Sequence, residues 1–126
     1  MKREILFRGK TIQGNKWVFG SLLVDWAGTC QIWEKDSDGS LHNYIVHPES
    51  VGQFTGILVN DIKIFEGDIL KRKIQFNLKV EWSEKYAEWM FVDPTDCNWD
   101  KTIIDIEIVG NDFDNPELMD VRYWWH

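Results

Sequence analysis

No stretch of the 126 residues approaches the roughly 20 consecutive apolar residues that a membrane-spanning helix needs. The opening MKREILFRGK carries charge without the hydrophobic run of a secretory signal, so no membrane association is expected and the protein is expected in the cytoplasm. Cysteine is scarce as well. Cys30 and Cys97 lie 97 − 30 = 67 positions apart with no CxxC pair, which excludes a disulfide framework and a zinc ribbon and leaves free, buried thiols as the expectation. The nine glycines never fall into GxGxxG or into GxxxxGK followed by Ser or Thr, so nothing supports a phosphate cradle or nucleotide hydrolysis. Internal repeats, low-complexity tracts and Pro-, Gly- or Ser-rich linkers are missing, and residues 1–126 read as a single domain with room for a sizeable core.

A basic excess is also lacking. The net charge is −7, and all of it sits at one end: residues 1–92 hold twelve Lys or Arg against twelve Asp or Glu. Residues 93–126 hold nine acids against Lys101 and Arg122, so 2 − 9 = −7. An acidic end repels phosphate backbones, which makes nucleic acid an unfavoured partner and a basic protein surface a better one.

Aromatic residues, by contrast, are plentiful at 14%, with eight Trp, and that apolar surface argues against disorder. Turn signals recur every eight to twelve residues, from QGN at 13–15 to EGD at 66–68, with Val-, Ile-, Trp- and Phe-rich runs between them. Such residues prefer a pleated, half-buried surface, so the chain reads as mostly β, built of short antiparallel strands and hairpins. EILFRGKTI and KWVFGSLLV form one expected hairpin, with Gly14 and Asn15 taking the positive φ of its turn. TCQIWEK and SLHNYIV form another across Asp36-Ser37-Asp38-Gly39. DILKRKI and LKVEW flank a polar turn at residues 75–77, and EWMFV pairs with LKVEW, the alternative for residues 83–91 being a short helix capped by Ser83. Near the end NPELM predicts one helical turn, with Asn115 as cap, Pro116 at the first position and Glu117 near the positive end of the dipole.

Residues able to carry chemistry are few. His42, His47 and Glu49 compose the nearest approach to a metal or small-ligand set, five positions separating the two histidines. Ser50 completes HPES, where groups so close in one turn usually bond backbone. Neither cysteine shows the signature of a nucleophile beside a base. Lys71, Arg72, Lys73 and Lys79, next to Phe76, make a basic strand that a nucleic acid would meet, although such a strand more often guards a sheet edge. The same strand is complementary to the acidic last quarter, which admits a head-to-tail contact between subunits. Trp17, Trp33 and Trp82 are expected in the core or half-buried in sheets, whereas Tyr123, Trp124 and Trp125 need a surface to dock on, their own domain or a subunit or partner. IFEGDIL sets Glu66 and Asp68 around Gly67. At i and i+2 the two carboxylates share one edge instead of converging on a substrate, so a structural turn is expected, with Gly67 at positive φ and Asp68 accepting backbone N–H groups.

Four motifs in order, ILFRGK with GNKWVFGSL, VHPESVGQFTGI, IFEGDIL and IVGNDFDNPELM, closely resemble the YopX family, small proteins encoded by bacteriophages and prophages of Gram-positive bacteria. Phe65, Ser50 and Val109 are mild departures from its pattern. The resemblance implies a β-rich, small barrel-like domain that self-associates and has no assigned catalytic residue; no cofactor is expected. The expected function is that of a non-enzymatic accessory protein acting through contacts with its own copies or with a host or phage protein.

Overall fold

A computed structural model of the chain describes residues 4–72, 77–95, 98–99 and 106–120. Its strands are β1 (Phe7–Lys10), β2 (Trp17–Val24), β3 (Cys30–Lys35), β4 (Leu41–Val46), β5 (Gly52–Val59), β6 (Ile62–Phe65), β7 (Asp68–Arg72), β8 (Asn77–Ser83), β9 (Glu88–Val92), β10 (Asn98–Trp99) and β11 (Ile106–Asn111). They make two antiparallel sheets, ordered β4-β3-β2-β1-β5-β6 and β10-β9-β8-β7-β11. Among the described residues no barrel closes, so two open sheets stand where the resemblance implied a barrel-like outline. Two compact units divide the chain, Met1–Gly56 and Ile57–His126. No helix among the described residues is long and apolar enough to cross a membrane.

In the first unit every connection from β1 to β4 is a hairpin. Gly14 and Asn15 take φ of 88° and 47° in the first turn, which the buried Thr11 closes: its N–H donates to the Lys16 carbonyl and its hydroxyl accepts the Lys16 N–H. The next two turns are copies of one another. Asp25 and Asp36 each accept two backbone N–H groups on Oδ1, from Ala27 and Thr29 and from Asp38 and Ser40, at 2.9–3.0 Å. Three residues on, Gly28 and Gly39 take φ of 87° and 86°. Both turns spell Asp-x-x-Gly followed by Thr or Ser, the side chain satisfying the N–H groups that the reversal frees.

Register then decides which face is buried. Val24, Cys30 and Val46 lie side by side, as do Leu22, Ile32 and Tyr44. Val18, Cys30, Ile32 and Val46 form the core, packed by Phe7, Leu22, Tyr44 and Val51. Each fully buried aliphatic there stabilises by about 1.5–3 kcal/mol. Cys30 is a free, buried thiol as expected; Cys97 lies outside the described residues. At Gly20 strand β2 changes partner, from Phe7 of β1 to β3 beginning with Ser21 opposite Trp33. The Trp33 carbonyl occupies the place where a Cβ on Gly20 would go.

In the second unit Leu70 lies between Leu78 and Ile108, and Val80 opposite Phe91. These residues, with Ile64 and Ile106, make its core. The expected polar turn between β7 and β8 falls largely outside the described residues, and Asn77 already belongs to β8. EWMFV pairs with β8 as a strand, from Trp82 opposite Trp89 to Lys79 opposite Val92. The helix alternative therefore does not form. Ser83 still acts as a cap, its hydroxyl accepting the Tyr86 N–H at 3.1 Å, but Ala87 turns left-handed at φ 51° and sends the chain back. The expected C-terminal helical turn is a 3-10 turn at Pro116–Met119 with Pro116 at its start. Asn115 does not cap it with its side chain; Oδ1 instead accepts the Asn111 N–H at 3.3 Å. Trp17 is half-buried, while Trp33 and Trp82 are 37% and 39% exposed; Trp33 lies on the face of β3 opposite Ile32, whereas Trp82 shares the core side of β8 with Leu78 and Val80 and sits against the Trp89 ring, centroids 5.1 Å apart.

Gly20→Ala is expected to destabilise more than Gly14→Ala, although only Gly14 has positive φ. The added methyl meets backbone at Gly20, and overpacking costs about 1–3 kcal/mol or more, against roughly 1 kcal/mol of local strain at Gly14, where nothing lies within 4 Å. Urea denaturation midpoints in the reverse order would contradict this account.

Candidate functional site

The IFEGDIL corner is assembled around Gly67. It takes φ of 89°, its N–H donates to the Val80 carbonyl at 2.7 Å, and its carbonyl accepts the Asp112 N–H at 2.8 Å. A Cβ here would lie 2.6 Å from Asp112 Oδ1. Asp68 is 2% exposed and its Oδ2 accepts the Phe65 N–H at 2.8 Å, while Glu66 is half-buried. The two carboxylates therefore occupy different environments. Sequence spacing gave the turn; what it did not give is Asp112, 112 − 67 = 45 positions away.

Of the 42–49 cluster, each histidine has its own carboxylate. His42 Nε2 meets Asp36 Oδ2 at 2.7 Å, and His47 Nδ1 stands 3.8 Å from Glu49. Ser50 is committed to backbone: it accepts the Lys10 N–H at 2.8 Å and donates to the His47 carbonyl at 2.6 Å. Among the described residues no three of His, Cys, Asp and Glu gather into a set able to hold a metal ion. The Asp36 carboxyl is held below its ordinary value of 3.8, first by the hydrogen bond from His42 and then by the backbone N–H of Ser40.

The basic strand is interleaved with acid. Lys71 stands opposite Glu107 of β11, and Lys79 Nζ pairs with Glu81 at 3.3 Å. Acidic last quarter and basic strand thus meet inside one chain. Arg72 ends β7 opposite Ile106; Lys73, Phe76, Tyr123, Trp124 and Trp125 lie outside the described residues.

A different surface stands out in the first unit. Opposite its core, the same three strands present Leu23, Trp33 and Ile45 on one face, each 37–50% exposed, with Leu41 at 61%. Trp26 projects 99% exposed from the Asp25 turn, whose backbone is fixed by the aspartate. Beside this face the Arg8 guanidinium lies 4.8 Å and the Lys10 ammonium 5.8 Å from the Trp17 ring, contacts that help hold Trp17 in place. The sequence signal for the exposed set was period-2 apolar placement on both faces of β2 to β4. A core covers only one of them.

Gly67→Ala is expected to cost about 1–3 kcal/mol from backbone strain, with further loss from the Asp112 contact, and Asp68→Ala about 1–3 kcal/mol for a buried N–H left without its acceptor. Glu66→Gln should stay within about 0.5 kcal/mol; thermal denaturation of the three variants checks the ranking. The Asp36 carboxyl, depressed in the folded state, adds stability that is present above pH 3.8 and lost as pH falls through its lowered folded-state value. NMR titration should show this depression reduced in His42→Gln.

The family model described as YopX protein matches residues 6–120. No curated protein matches the chain. The matched span takes in the Gly67 corner, the Asp112 turn that grips it, the two Asp-anchored turns and the exposed face of β2 to β4. With nearly its whole length covered, the chain belongs to the YopX family.

Proposed function

We propose that this chain is a phage- or prophage-type accessory protein of the bacterial cytoplasm that acts through protein contacts, including contacts between its own copies, and has no enzymatic activity of its own. Membership of the YopX family supports the setting. The observation that carries the reading is the set of exposed Leu23, Trp33, Leu41 and Ile45 on one face of β2 to β4, interspersed with the hydrogen-bonded amides of Gln31 and Asn43, with Trp26 99% exposed in the turn between β2 and β3. Exposed Trp on a fixed turn is the kind of anchor that dominates protein interfaces, because it buries a large area with little side-chain entropy to lose. The first unit is read as a barrel-like curl, since Thr11 bridges Val46 and the Ile12 N–H reaches the Ile45 carbonyl at 3.0 Å. The aromatic set Tyr123, Trp124 and Trp125 is a second contact candidate. A host or phage protein is the other partner proposed.

A nucleic-acid reading through Lys71, Arg72, Lys73 and Lys79 is weaker, because Glu107 stands opposite Lys71 in the ladder and Glu81 pairs with Lys79. A ligand or metal reading at His42, His47 and Glu49 is weaker too, because the histidines are engaged separately.

Sedimentation velocity over a wide concentration range is expected to show association, and fluorescence anisotropy with labelled single- and double-stranded DNA and RNA is expected to show no salt-dependent binding. A strict monomer would remove the self-association half, and a steep salt dependence of nucleic-acid binding would favour the alternative.

A further inference from the structure

Strand β4 ends its sheet, and its free side is set by parity. In an antiparallel strand the N–H and C=O of one residue point the same way, and successive residues alternate. The Ile45 carbonyl accepts the Ile12 N–H at 3.0 Å, and the His47 N–H donates to the Lys10 carbonyl at 2.9 Å, both on the side away from β3. The Asp36 N–H meets the Ser40 carbonyl at 2.9 Å on the β3 side. Odd-numbered residues of β4 therefore aim their backbone outward and even-numbered ones bond β3. Residues 10–12 cover the edge at Ile45 and His47, but Leu41 and Asn43 turn N–H and C=O beyond the sheet, and among the described residues no strand pairs with them.

Natural edges are guarded by charge, proline or bulges. The edge strand β11 carries Glu107 and a register shift between Ile108 and Gly110, and β6 carries Lys63. Leu41-His42-Asn43-Tyr44-Ile45-Val46 has none of these devices. An open row of donors and acceptors selects an extended backbone as its ligand.

Charge then selects whose backbone. Residues 1–56 hold six Lys or Arg and six Asp or Glu, summing to zero, while residues 57–126 hold eight against fifteen, so 8 − 15 = −7. Two copies meeting through the first unit bring neutral segments together, and a surface near zero charge favours association. A strongly charged partner strand would gain nothing at an uncharged edge. A two-fold axis needs a self-complementary patch, and Leu41-His42-Asn43 supplies one.

We propose that two copies join by antiparallel pairing of β4, with the two-fold axis through His42, so that Leu41 and Asn43 of each exchange backbone hydrogen bonds with Asn43 and Leu41 of the other. Each His42 keeps its own Asp36 at 2.7 Å, so the juxtaposed rings bring no unpaired charge. Ile12 already holds the edge at Ile45, so the shared ladder is limited to Leu41 and Asn43. The outer faces of the two sheets then run together. This rests on the self-association reading above.

The test is sedimentation equilibrium of the full chain beside Asn43→Pro and Leu41→Lys, with amide hydrogen exchange at high and low concentration. Asn43→Pro removes an N–H that bonds nothing among the described residues, and Leu41→Lys alters only an exposed side chain, so thermal midpoints should hold in at least one of them. The expected result is a dimer whose dissociation constant rises at least tenfold in either variant, with the amides of Leu41 and Asn43 gaining protection as concentration rises. A wild-type dimer unaffected by a folded variant would overturn the β4 contact and leave self-association standing. A wild-type monomer at all concentrations would overturn both.

Discussion

The second sheet depends on a residue gripped from both sides. Gly67 gives its N–H to Val80 and its carbonyl to Asp112, so the chain leaving β6 enters β7 already tied to β8 and to the turn after β11. A side chain would have to occupy the space of the Asp112 carboxylate. Asp68 completes the corner by satisfying the Phe65 N–H in a place with almost no access to water, where an orphaned donor is costly. IFEGDIL and VGND are thus two halves of one joint, in which the acid after the glycine has a structural task.

Legibility in the sequence followed the range of the interaction. The β1–β2 and β3–β4 hairpins are readable because their turns are closed by neighbours in the chain, and the turn between β2 and β3 is closed in the same way; Asp25 and Asp36 each reach only two and four residues on. Their shared spelling, Asp-x-x-Gly followed by Thr or Ser, was in plain view. The Gly67–Asp112 grip was not, because nothing local at either residue names the other. Asn115 looked like a cap on propensity alone, yet a nearer bid from the Asn111 N–H took its oxygen. Core and half-buried positions both stay open for Trp33 in the sequence, because a strand with apolar residues on both faces does not say which face the fold will cover.

The site readings divide in the same way. His42 was legible as a polar strand residue, but its carboxylate lay across a turn at Asp36 and not in the HPES segment that drew attention. The basic strand lost its apparent freedom once β11 was laid beside it, with Glu107 opposite Lys71. Lys71 and Glu107, 107 − 71 = 36 positions apart in sequence, stand opposite each other within the chain.

The order of the strands also bears on how the chain comes together. Lys35 and Leu41, the innermost pair of the β3–β4 hairpin, are 41 − 35 = 6 positions apart, whereas Ile106 and Arg72, the innermost pair of β7 with β11, are 106 − 72 = 34 apart. Loop closure scales with the logarithm of that separation, so the β7–β11 ladder starts about 1.5 kcal/mol behind in entropy. Contacts of short sequence range form fast and those of long range wait. During synthesis the β1 to β4 meander has all its residues before those of β11 are joined to the chain.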